Sequence, residues 1–167
     1  MPLLKSGQIV EDTWLNIDDG QDVPKNGDVI VSLERWLSDS DALASREGKI
    51  GLRLKNDQSP AQVADDLGVF DIFVLEFPKY TDGRAYSAAR LLRDRYGFQG
   101  QVRASGDVLI DQYGMMQRCG FNAYEIRDDA DVPSWQAAEK HISSHYQPAA
   151  DGVSAIWAKR HNLAKSA

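Results

Sequence analysis

The run FDIFVLEF, residues 70 to 77, constrains the fold of this chain more than any other stretch. Only Asp71 and Glu76 interrupt it, so the alternation of a strand wetted on one face is lost. A strand of this kind needs apolar cover on both sides, which is the habit of layered α/β domains with parallel strands. The surrounding sequence is consistent with that. DVIVSL (28–33), KIGLRL (49–54), QVRAS (101–105) and NAYEI (122–126) are further short apolar runs, each followed by a stretch with helical character.

The helical signals are local. Ser59, Pro60 and Gln62 form a capping-box start, with proline at the first helical position. Val63 and Leu67 would be buried, and Gly68 is placed to end the helix. From Asp82-Gly83 to Tyr96, the residues Ala85, Ala88, Ala89, Leu92 and Tyr96 recur on one stripe. Ser87, Arg90 and Asp94 fall opposite, and Arg90 and Arg93 read as a solvated face. Asp107 is placed to cap a helix over 108–119 that Gly120 stops. Pro133 opens a last helix with Trp135, Ala138, Ile142 and Tyr146 on one face.

Repeated β-α units imply one α/β domain of about five such units with a mainly parallel sheet. Two closures fit: a flavodoxin-like open sheet, slightly preferred, or a partial (β/α) barrel. A lone half-barrel would leave its inner face exposed unless it formed a homodimer. The domain spans 28–146. Residues 1–27 read as an N-terminal β hairpin or edge strand, rich in turn residues after GQIVEDTWLNI. Residues 147–167 form a basic C-terminal tail in which Lys159, Arg160 and Lys165 meet no acid from Val153 onward.

With 167 residues, 43% hydrophobic and 26% charged, the chain has the balance of a soluble globular protein. No apolar run is long enough to span a bilayer, and no export signal opens the sequence, so a cytoplasmic location is expected. Net charge is −6, which argues against nonspecific nucleic-acid binding. The single cysteine, Cys119, excludes an internal disulfide. It falls in phase with Leu109 and Met116 and reads as a packed thiol. His141 and His145 have helical metal-pair spacing, but no third ligand is evident and no metal is expected. Phosphate-binding glycine loops are absent, so no cofactor is evident, although a flavin at the strand ends is compatible with an open sheet.

Charge is densest where strands should end. Lys79, Arg84 and Arg103 are the candidate anion-binding cations, supported by the carboxylates Glu76, Asp82 and Asp107. Both predicted α/β closures gather ligands at the carboxyl ends of strands, and arginine suits an oxyanion. The alternatives are structural: Asp82 and Asp107 as helix caps, and Arg84 and Arg103 as partners of those acids. Arg103 is the first expected partner of Glu76, which needs one at the end of an apolar strand.

The pattern FPKYTDGR, followed by SAARLLR, GQVRASGDVL, DQ and RCGF, resembles an uncharacterised bacterial family, the domain of unknown function nine hundred and thirty-four. Leu33-Glu34-Arg35-Trp36 and Gly51 extend the likeness more loosely, and Tyr80 stands where relatives usually have Phe. Members carry an oxidoreductase label tied to sulfite reduction. The resemblance implies an accessory role in assimilatory sulfite reduction, with sulfite reductase or its electron donor as partner and a small oxyanion as a candidate ligand. The alternative it leaves open is a small α/β oxidoreductase, flavin-dependent in one version. No catalytic residue follows from it.

Overall fold

In the computed structural model, which describes residues 1–127, 132–140 and 144–165, one eight-stranded sheet organises the chain. Strands β1 (Leu3–Lys5) and β2 (Gln8–Val10) form a hairpin, turned at Ser6 and Gly7 with positive φ at both. Next come β3 (Leu15–Asn16), β4 (Val29–Ser32), β5 (Ile50–Leu54), β6 (Phe70–Phe77), β7 (Gln101–Gly106) and β8 (Ala123–Glu125). The order across the sheet is β2-β1-β8-β7-β6-β5-β4-β3. Every pair from β3 to β8 is parallel, and β1 joins β8 and β2 antiparallel.

Two expectations are corrected here. The sheet is mixed rather than mainly parallel, because the N-terminal hairpin inserts antiparallel beside β8. The parallel strands β3 to β8 also follow chain order without a switch point, so the sheet curls as a half-barrel instead of opening in flavodoxin fashion. The count of five β-α units is loosened as well. The segment after β5 keeps its capping box at Ser59 and Gln62 but makes only short 3-10 turns, at Pro60–Val63 and Leu67–Val69, and Gly68 lies inside the second.

Five α-helices are described: α1 (Leu33–Ala44), α2 (Arg84–Arg90), α3 (Tyr113–Cys119), α4 (Val132–Lys140) and α5 (Ile156–Lys165). Helix α2 runs into a π turn at Leu91–Arg95, which keeps Ala85, Ala89 and Leu92 on the buried stripe. Of the last expected apolar face, Trp135 is buried, Tyr146 is 76% exposed, and Ile142 lies outside the described residues.

The helices cover one face of the sheet. Val31, Leu52, Leu54, Phe73, Leu75, Phe77, Val102 and Tyr124 point into that core, together with Trp36, Leu92, Met116 and Trp135. Edge-on ring contacts link Trp36 to Phe70, Phe70 to Phe73 and Phe73 to Phe98, with centroids 4.7, 5.3 and 4.9 Å apart. Pairs like these add about 0.5–1.5 kcal/mol each beyond their area. Arg93, expected on a solvated face, is half-buried instead. It donates to the carbonyls of Phe98, Gly100 and Gly120 at 2.5, 2.9 and 3.0 Å and so staples the start of β7 to the end of α3.

The curl has a covalent cause. Strands β2 and β3 occupy opposite edges, yet only residues 11–14 join them. A flat sheet would separate these edges by roughly 33 Å at the usual strand spacing. Five residue steps from Val10 to Leu15 reach about 18 Å at most. The sheet must therefore bend until the strap 11–14 can cross its inner face. Trp14 on that strap covers Ile30, Ile72 and Val74, which form a small second cluster with at most 1% exposure. Gly51 lies beneath it: a Cβ there would stand 2.4 Å from Ile72 and 2.9 Å from Ile30. The double-sided burial read from residues 70 to 77 is thus real, and one chain supplies both covers.

Candidate functional site

The carboxyl ends of β6 and β7 lead into two loops that the chain ties together. Asp107 accepts from the Tyr80 amide at 2.9 Å and its own amide donates to the Phe77 carbonyl at 2.7 Å. Gln112 donates to the Tyr80 carbonyl at 2.7 Å. Gly106, at φ +95, lets the second loop approach, since a Cβ there would lie 2.4 Å from the Phe77 oxygen. Asp107 therefore braces a neighbouring loop and does not cap its own helix. The helical segment after it is a 3-10 turn at Ile110–Gln112 followed by α3.

Asp82 accepts from the Arg84 amide at 3.2 Å and from its guanidinium at 3.0 and 2.7 Å, and Asn56 reaches it from the loop after β5 at 2.5 Å. Hydrogen bonds from Arg84 hold the Asp82 carboxyl well below its ordinary range. Lys79, Tyr80 and Arg84 stand outward on this rim. Tyr80 is 51% exposed, the Arg84 side chain 60%, and Lys79 has no ion-pair partner among the described residues.

The other two residues expected at this site lie on the inner face. Arg103 is fully buried. Its guanidinium meets Asp12 of the strap through two bonds, at 2.7 and 2.9 Å, and Glu125 at 3.2 Å. Gln101, with its amide oxygen turned inward, accepts from it at 3.1 and 3.2 Å. Ser105 donates to the other oxygen of Glu125 at 2.5 Å. Glu76 does not pair with Arg103. It faces Arg53 at 3.6 Å, and Arg53 also reaches Asn16 at 2.5 Å. Register alone does not decide this, since Glu76 stands two places past the β6 partner of Arg103 just as Glu125 stands two places past its β8 partner. The Arg103 guanidinium turns to β8 and the strap, and Arg53 of β5 takes Glu76. Arg53 and Ser105 follow period two from Gly51 and Arg103 and could have been assigned to this face from sequence. Asp12 gave no such signal, because it comes from 91 positions away.

A third feature is a cleft of about 970 Å³ beside α3. Arg90 of α2, residues of α3 and its approach from Ile110 to Cys119, and the segment 145–153 line it. That segment is clipped to α3 through Arg118, which contacts Asp151 at 3.3 Å and donates to the Gln147 carbonyl at 2.7 Å. Cys119 sits in the core at its edge, 7% exposed, and burial pushes its thiol up. That matches the packed-thiol reading better than a nucleophile. His145 lines the cleft and His141 lies outside the described residues. Among the described residues no group of three or more His, Cys, Asp or Glu could hold a metal, and no helix is long and apolar enough to cross a membrane.

The family described as "Bacterial protein of unknown function (DUF934)" matches residues 51–157. The chain belongs to this family. The DUF934 span takes in the rim, Arg103, Glu125 and all the cleft residues, whereas Asp12 and Trp14 of the strap precede it. In this DUF934 protein, then, the inner face is completed by a segment outside the matched region. No curated protein matches the chain.

Proposed function

We propose that this DUF934 protein is an accessory of assimilatory sulfite reduction that docks sulfite reductase or its electron donor through the rim at the ends of β6 and β7. The pathway comes from the family resemblance. The docking role rests on one observation: two cross-tied loops display Lys79, Tyr80 and Arg84 outward while spending their own carboxylates internally. Asp82 and Asp107 occupy amides that an oxyanion would otherwise take, and Arg103 is buried on the other face. Because Asp82 also holds the Arg84 guanidinium, a small oxyanion at the strand ends is left with Lys79 as its one unpaired cation among the described residues. An exposed lysine beside an exposed tyrosine suits an acidic protein surface better.

Co-purification with sulfite reductase tests this directly. The wild type is expected to carry the reductase or its electron donor, and Lys79→Glu combined with Tyr80→Ala is expected to lose it while melting normally. Equal recovery with wild type and double variant would remove the reading. A second reading, a small oxidoreductase carrying a flavin, is favoured by the cleft beside α3, whose volume would admit an isoalloxazine ring. It predicts a yellow preparation, and a colourless one that gives no spectral change with added flavin counts against it.

A further inference from the structure

We infer that the cleft beside α3 is a binding site for a largely apolar molecule of small-cofactor size whose edge carries acceptor oxygens. This does not depend on the docking role, since the rim residues do not line the cleft. Its volume of about 970 Å³ is that of a site for a drug-sized or cofactor-sized ligand. A bare sulfite or sulfate would leave most of it to water. Ile110 and Met115, 37% and 61% exposed, offer apolar walls on one side, and Pro148 and Val153 face the cleft from the other segment.

Two observations define what the edge of the ligand should carry. Arg90 gives Nε and Nη2 to Asp94, at 3.0 and 2.7 Å, which leaves Nη1 unengaged among the described residues. Arg118 uses Nη1 and Nη2 on Asp151 and Gln147, which leaves its Nε. Arg118 is held by the largely buried Asp151 and Arg90 by an exposed pair with Asp94, and each keeps donor capacity, so acceptor oxygens are the matching groups. Because those acids already balance the two cations, the apolar body, more than net charge, should dominate affinity.

Gly114 provides an independent pointer. It lines the cleft within α3, has no positive φ, and a Cβ built on it meets nothing within 4 Å. Neither backbone nor packing requires glycine, and alanine would favour the helix. What the missing side chain does here is keep the cleft open.

The test is a fluorescence titration of the whole 167-residue chain with 8-anilinonaphthalene-1-sulfonate, which combines an apolar body with acceptor oxygens. Saturable binding to the wild type is expected. Gly114→Phe, which fills the cleft from its floor, is expected to weaken it by at least about tenfold, with unchanged or raised melting temperature. Arg90→Gln is expected to weaken it by roughly threefold, the loss of one exposed charged contact. Should Gly114→Phe fail to fold, Val153→Trp blocks the same space from the opposite, exposed wall. Unchanged affinity in a folded blocking variant would mean that the dye binds elsewhere and would overturn the assignment. So would an absence of saturable binding, or thermal protection by inorganic sulfate equal to that by the dye. A dye site with no response to added flavin keeps this inference and removes the flavin reading.

Discussion

The helix-covered face of the sheet buries a continuous cluster of aromatic and aliphatic side chains, whereas the inner face is closed by Trp14, three aliphatic residues and the ions around Arg103. The first cover is distributed over many small contacts from helices close in sequence to the strands they pack on. The second hangs on Asp12 and Trp14 of the strap and one buried guanidinium. A face closed by many neighbours spreads its cover over many side chains, although each fully buried one, such as Phe73, is still costly to truncate. A face closed by a strap has few substitutes, so its residues should be disproportionately sensitive.

The largest effect is expected at Asp12→Ala. Arg103, fully buried, would keep Glu125 and Gln101 but lose its two-bond partner, a change that costs about 3 kcal/mol. Urea denaturation would measure it, and the double variant Asp12→Leu, Arg103→Met should lose clearly less than the sum of its single variants. Additive losses would mean that the pair is not coupled as the geometry requires. Trp14→Ala comes next, at about 2–3 kcal/mol for a half-buried ring over Ile30, Ile72 and Val74. A side chain outside both covers sets the lower reference: the exposed Leu37→Ala should cost under about 0.5 kcal/mol. A Trp14→Ala variant as mild as Leu37→Ala would mean that the ring does not close the inner face.

The smallest effect belongs to the rim. The Asp82 carboxyl is held below its ordinary 3.8 by hydrogen bonds from Arg84. A depressed carboxylate stabilises the folded state above its ordinary value and loses that contribution as pH falls through its folded value. Stability should therefore decline below about pH 4, and Asp82→Asn should flatten that decline slightly in an acid titration followed by circular dichroism. An identical acid profile would mean that solvent screens the pair completely.

Much of the parallel core was legible from local pattern. Residues 70 to 77 announced a strand buried on both faces, and Ala85, Ala89 and Leu92 announced the stripe of α2, because periodicity reports burial wherever neighbours in sequence are neighbours in space. Loop chemistry was legible only in part. Lys79, Asp82, Arg84 and Asp107 do share one rim, but Asp107 braces Tyr80 instead of capping a helix, since the loop geometry of β6 decides which amide lies within reach. Arg103 and Glu76 were separated from that rim by the alternation of side chains along β7 and β6, which turns both to the inner face. Arg93 was taken from solvent by carbonyls next to the start of β7 and the end of α3.

By itself, then, the sequence determined the family, the β4-to-β8 strands and the central place of the apolar run FDIFVLEF. Tertiary structure decided what lies on the far side of that run. A strap too short to span a flat sheet bends it, and bending brings Asp12 and Trp14 onto the inner face. Contacts made across 91 residues leave no periodic trace, because chain closure, and not local propensity, sets their geometry.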